Sequence, residues 1–411
     1  MKSGAEQPII AAEPYRVFFP VALAAGVLGV LLWPAFYSGV LPYYPVFAHA
    51  RVMIEGFVGG FAVGFLGTAL PKMLSTPPLR LWQVCLLLAL HIGYCTAHLF
   101  GYLRTGDGIF AGMMILMIAL LLVRVLCRKS LPPAGMALTG LGLFSGVFGA
   151  AWGAVFGFQG DAFWGHFAQR LLYQAFIVLP LLGVGSFIFP MILGSQSKSA
   201  GLFGKAWRNK ALEALLLGAL VIATYWIEVH GQAKAMSWVR AVLCFVWLTK
   251  ESGWLAKPQS RGVMPWALRA GIVCLLGGMV ATGILQEQKT ALEHSLYIGG
   301  FGLITMMVAT RVIYGHSGQG HQFQKWIKPI TVLTGLLLFG MATRISADFL
   351  PRVRISHHVY AAILWVVVCI IWGIAVIPSV RKRAFPSKPK SRPSPKSLPA
   401  KPSLMDLDFR K

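Results

Sequence analysis

The chain has 411 residues, of which 56% are hydrophobic and 12% charged, and its mean hydropathy is +0.68. Soluble chains carry about 25% charged residues, so this composition excludes a soluble globular enzyme, a disordered protein and a disulfide-stapled secreted domain. The net charge of +24 would suggest nucleic acid on a soluble protein, but the basic residues lie between apolar runs, where membrane orientation and anionic lipid account for them.

A bilayer core of about 30 Å takes about 20 apolar residues per helix. Residues 1–16 are polar and of mixed charge; they read as a cytoplasmic N-terminal segment with no cleavable signal. Twelve spans are predicted within 17–380: 17–39, 50–72, 81–103, 108–127, 134–158, 168–194, 211–229, 235–254, 266–286, 292–313, 328–348 and 357–379. The sixth carries Pro180 and Pro190, which predict a kink or break. Residues 381–411 hold ten Lys or Arg, two Asp and six Pro, and read as a disordered basic cytoplasmic tail that meets anionic headgroups. The fold class is therefore an all-α polytopic membrane protein of about twelve transmembrane helices, and no convincing internal repeat is visible.

Placing both termini in the cytoplasm puts 28 Lys or Arg on that side and nine on the other, as the positive-inside rule requires. Gly56, Gly60 and Gly64 share a face of the second span, and Gly149, Gly153 and Gly157 a face of the fifth. Small residues at this spacing let helices approach closely, within one bundle or between subunits.

The six cysteines form no C-x-x-C or C-x-x-C-H, so neither a disulfide framework nor covalent c-type haem is indicated. Under the same topology His49, His98, His166, His230, His294, His357 and His358 fall at outer helix ends or loops, against His316 and His321 inside and His91 at mid-membrane. Such a zone suits metal or haem ligation, proton handling, or the ordinary preference of imidazole for an interface. His91, Cys95 and His98 fall at i, i+4 and i+7 of the third span, one helix face. They are candidate copper ligands, or buried groups bonded to neighbouring helices. Glu55 lies four residues after Arg51, a spacing that predicts a local salt bridge, or else a relay or ligand role. No phosphate-binding loop or nucleophile elbow is present.

Two segments resemble the NnrS family of haem- and copper-containing bacterial membrane proteins. One runs from Ala48-His49-Ala50-Arg51-Val52-Met53 through Glu55-Gly56-Phe57 to Gly64-Phe65-Leu66-Gly67-Thr68-Ala69 and Pro71. The other runs from His294 to Thr310-Arg311-Val312, then Gly315-His316-Ser317-Gly318. The opening Pro14–Phe19 and the count of twelve helices are also similar. His49 and Met53 match the family's first motif, whereas its second His and its Glu are Arg51 and Val52 here; Glu55 and the His91–Cys95–His98 face are possible replacements. The resemblance implies a multi-pass protein of the bacterial cytoplasmic (inner) membrane that binds haem b, with copper as a second expected cofactor, and contributes to tolerance of nitric oxide. His49, His98 and His294, at similar depth, are the expected cofactor ligands; Arg311 and His316 are further candidates from the second motif. A transporter or permease and a cofactor-free scaffold are the competing readings.

Overall fold

The computed structural model describes residues 8–159 and 161–382. No strand occurs among them. The membrane domain comprises α1 (Tyr15–Tyr37), α2 (Val46–Met73), α3 (Leu81–Leu99), α4 (Leu103–Leu126), α5 (Met136–Val155) and α6 (Ala162–Leu193). It continues with α7 (Gly204–Ile227), α8 (Ala233–Ser252), α9 (Met264–Ile284), α10 (Lys289–His316), α11 (Lys328–Phe349) and α12 (Arg354–Val376). Eleven described segments are long and apolar enough to cross a membrane; one, Gly204–Ser252, is 49 residues long and comprises α7 and α8. It reverses at His230–Gly231, where Gly231 takes φ +95°, a conformation that glycine adopts without a Cβ penalty. The ion pairs Lys210–Glu251 and Lys250–Glu213, and Arg240 Nη2–Glu228 Oε2 at 2.5 Å, zip the two arms antiparallel. Twelve spans result, as predicted. The tail expected from residue 381 lies, beyond Lys382, outside the described residues.

The packing has a threefold pattern that hydropathy did not reveal. The twelve helices form three quartets, α1–α4, α5–α8 and α9–α12. In each quartet the first helix packs on the second and the third on the fourth; the fourth then packs on the first of the next quartet, α12 closing onto α1. The second members, α2, α6 and α10, occupy the centre. In their most apolar stretches 78%, 78% and 67% of the residues are buried, against 28–50% elsewhere. They are also the spans with π-helical stretches near their starts: Val52–Gly59, Leu171–Ala175 and Ser295–Gly302. The repeat is one of backbone geometry and packing, which unrelated apolar side chains satisfy equally well.

Of the kink or break predicted at Pro180 and Pro190, the break does not occur, because Phe176–Leu193 is one helix that contains both prolines. The irregularity lies upstream, in the π turn of α6, and a widened turn of this kind can absorb the geometry a proline imposes. Gly142 of α5 makes room for the proline ring; a Cβ there would lie 2.2 Å from Pro180 Cδ.

Gly56, Gly60 and Gly64 seat α2 against α1 and α3: a Cβ would come within 2.9 Å of Cys95 Sγ, 2.6 Å of the His91 ring and 2.8 Å of Phe18, respectively. Their role is packing within one bundle. Gly149 and Gly153 do the same in α5, whereas Gly157 lies past that helix's end at φ +72°. At the face where the chain begins, Arg16 donates to the carbonyls of Val380 and Lys382. The first and last spans therefore meet, and both ends of the described chain lie on one face.

Candidate cofactor and proton site

On the face opposite the chain ends, α2, α3 and α4 enclose a polar cluster. Arg51, Glu55, His98 and Asp107 are all buried. Arg51 clamps Asp107 with two bonds, Nε to Oδ1 at 2.6 Å and Nη2 to Oδ2 at 2.8 Å. It also donates to Tyr173 of α6 at 3.2 Å. Glu55 Oε2 lies 2.9 Å from His98 Nε2, with Asp107 Oδ1 3.9 Å from the same nitrogen. Glu55 Oε1 and His98 Nδ1 are buried without a hydrogen-bond partner among the described residues. Glycine backbones make the space. A Cβ on Gly106 would come within 2.3 Å of the His98 ring, and one on Gly153 within 2.5 Å of Asp107 Oδ2.

The local Arg51–Glu55 bridge expected from sequence does not form. Residues 52–59 are π-helical, and the wider turn takes i and i+4 off a shared line. Arg51 turns to Asp107 and Glu55 to His98 instead.

The rest of the α3 face lies one turn deeper. His91 Nδ1 meets the Tyr94 hydroxyl at 2.6 Å, and that hydroxyl donates to the Glu55 carbonyl at 2.8 Å. His91 Nε2 is 3.8 Å from Cys95 Sγ. His98 thus joins Glu55 and Asp107, and His91 pairs with Cys95 through the helix itself. Among the described residues, the group whose donor atoms all lie within 4.8 Å of one another is Glu55, His98 and Asp107. Sequence reasoning missed Asp107. It fell one residue outside the predicted span 108–127; the structure places it inside α4, where it is the lone acid, and an intramembrane acid is functional by default.

A second set of imidazoles lies on the same face. His49 Nδ1 bonds the Gly29 carbonyl at 2.9 Å, and His294 Nδ1 the Thr290 carbonyl at 2.7 Å. His358 Nδ1 meets the Tyr37 hydroxyl at 2.7 Å, and its Nε2, buried without a hydrogen bond among the described residues, lies 3.9 Å from Asp348 Oδ1. The His49 and His358 rings both pack on Trp33, at 5.9 and 5.2 Å between centroids. Met53 packs beside Gly29. Each imidazole is held through Nδ1 and makes no hydrogen bond through Nε2 among the described residues, the arrangement that orients a metal-ligating histidine. The donor set fits haem iron or copper. His358 was absent from the sequence-based ligand set.

A further network joins α6, α7, α8 and α10. Arg170 bonds Glu228 at 3.2 Å and Glu293 at 2.7 Å, while Arg240 and Lys289 each reach Glu228 at 2.5 Å. These carboxylates are fully committed to cations and read as a structural lock.

Residues 9–383 match the family described as NnrS protein. The chain belongs to the NnrS family. No curated protein matches it. Membership supports a nitric-oxide-related membrane protein, and the family is generally linked with metal or haem. Its members' second motif ends at Arg311 and His316, which lie on the face of the chain ends. The Arg311 guanidinium stacks on Phe323 at 3.7 Å, and His316 lies 3.5 Å from Glu13.

Proposed function

We propose that this chain carries a haem b or copper centre on the face opposite its ends and contributes to nitric oxide tolerance. His49, His294 and His358 would hold the group, with His98 the nearby polar neighbour. The observation that carries the reading is the shared pattern of three histidines anchored through Nδ1 with no hydrogen bond on Nε2 among the described residues. When bound, such a centre supplies coordination and electron exchange for a small diatomic ligand. Trp33 packs against two of the rings, edge-on to His49 and tilted to His358.

The Arg51–Asp107 and Glu55–His98 cluster would handle protons. Arg51 and Asp107 cancel each other's charge, and one proton is shared between Glu55 and His98. Whether that proton sits on oxygen or nitrogen, the cluster is neutral overall, so moving it within the pair buries no net charge. A specific observation favours proton handling over a second metal here. The Arg51 guanidinium already places a positive charge on Asp107, and a metal cation beside it would be repelled.

We further infer a bacterial inner-membrane location with both chain ends cytoplasmic, supported by the distribution of Lys and Arg and by the contact of α1 with α12. Visible absorption of the purified protein tests the cofactor. A Soret band that shifts with nitric oxide is expected, weakened or lost in His49→Ala and His294→Ala and kept in His316→Ala. An empty spectrum and no bound copper would leave the scaffold reading in its place. An active alkaline phosphatase fused after Lys382 would overturn the orientation.

A further inference from the structure

The three central helices converge again at the face of the chain ends, where a cavity of about 220 Å³ lies between α2, α6 and α10. Phe65, Met73, Phe187, Ile188 and Met191 supply apolar walls, and Lys72, Arg311 and His316 the polar rim. At about 30 Å³ per water, there is room for several waters or one small polyatomic ion.

The charges at this mouth do not balance. Arg16, Lys72 and His316 gather round one carboxylate, Glu13. Arg311 has no carboxylate partner and no hydrogen bond among the described residues, and its Nε is buried. The nearby helix ends offer carbonyls, but Arg311 donates to none of them. One flat face of its guanidinium is fixed on Phe323, in the short 3-10 segment Gly320–Gln324, which leaves the donor edges uncommitted. His316 Nδ1 is also buried without a hydrogen bond. A partly buried guanidinium with no counter-charge is costly in a membrane protein. An anion of forked oxygens is the partner its geometry fits.

We propose that Arg311, with Lys72 and His316, forms an oxyanion site in this cavity, taking a small inorganic oxyanion or the phosphate of an anionic lipid. Arg311 would bind two oxygens along its free edge. Lys72, exposed at the rim, would admit the anion from the aqueous side or the headgroup layer. The apolar walls below would exclude the anion from the membrane interior. The site needs no chromophore and stands apart from the opposite-face histidines, so its failure and the failure of the cofactor reading are distinguishable.

The test is thermal unfolding of the full chain in detergent, titrated with inorganic phosphate, nitrite or chloride at constant ionic strength. Native mass spectrometry with added phosphatidylglycerol runs in parallel. Saturable stabilisation by phosphate or nitrite above chloride identifies the inorganic source, and selective retention of phosphatidylglycerol the lipid source. In either case Arg311→Gln should weaken the effect about tenfold or more, the worth of a charged hydrogen bond. Arg311→Lys should keep the fold and part of the binding, which covers the case where Arg311→Gln misfolds. The proposal is overturned if no oxyanion and no phosphatidylglycerol is preferred, or if the preference is undiminished in both variants.

Discussion

At the level of single residues, the Arg51–Asp107 pair carries the clearest energetic consequence. Both side chains are buried, and each satisfies the other through two parallel bonds. Arg51→Met leaves Asp107 charged and alone, at a cost of about 3–5 kcal/mol, whereas replacing both with apolar residues of similar volume should be close to neutral. A double-mutant cycle by thermal unfolding checks this; additive losses would mean the pair does not interact. Gly106→Ala is a second case. The new methyl would collide with a His98 ring held by Glu55, and overpacking of this kind costs about 1–3 kcal/mol. Glu13 gives a pH signature. Burial pushes its carboxyl up, but the charges of His316, Lys72 and Arg16 outweigh this and hold it below its ordinary value. A carboxyl depressed on folding stabilises above its unfolded pKa and loses that stability as pH falls through the folded value. Glu13→Gln should therefore lower stability at neutral pH and converge with the parent only once the pH has fallen below the ordinary carboxyl range. Parallel melting curves across that range would refute the assignment.

At the level of elements, the sequence showed spans well and their irregularities poorly. All twelve spans were legible because apolar length suffices to find them. The hairpin between α7 and α8 was legible through the polar stretch at Glu228–Gln232. The π stretches were not, because a widened turn leaves no mark in a pattern of Val, Ile, Phe and Gly. This is why Glu55 was assigned the wrong partner: a spacing of four was read with α-helical geometry in a segment that lacks it. His98 and Glu55 were both singled out, yet their union and Asp107's part in it depend on how α2, α3 and α4 pack. Deleting Val58 from the π stretch of α2 tests the point. Regular helix would rotate the preceding residues by about 100° and draw Arg51 and Glu55 away from Asp107 and His98. The deletion should destabilise the protein at least as much as Arg51→Met; a silent deletion would show that the widened turn does not position the cluster.

At the level of the whole molecule, the central helices α2, α6 and α10 enclose two cavities one above the other. The inner one, about 90 Å³ and lined by Phe61, Phe176, Pro180 and Ile304 among others, is almost wholly apolar, and Phe65 lines both. This stacking is the feature closest to the transporter reading, yet the apolar cavity offers a charged substrate nothing to bind.

The contact of Arg16 with Val380 and Lys382 bears on chain order. Two of the three junctions between quartets are covalent, through residues 127–135 and 253–263, and among the described residues the third is closed by side-chain and backbone contacts. A closed circle of three similar units has no privileged starting point. Linking residue 382 to residue 8 and cutting at 127–135 would begin the polypeptide at α5 while preserving every helix neighbour. Such a circular permutant should insert, elute and absorb light as the parent does. If it fails, the order in which helices enter the membrane, rather than their final contacts, decides whether the ring assembles.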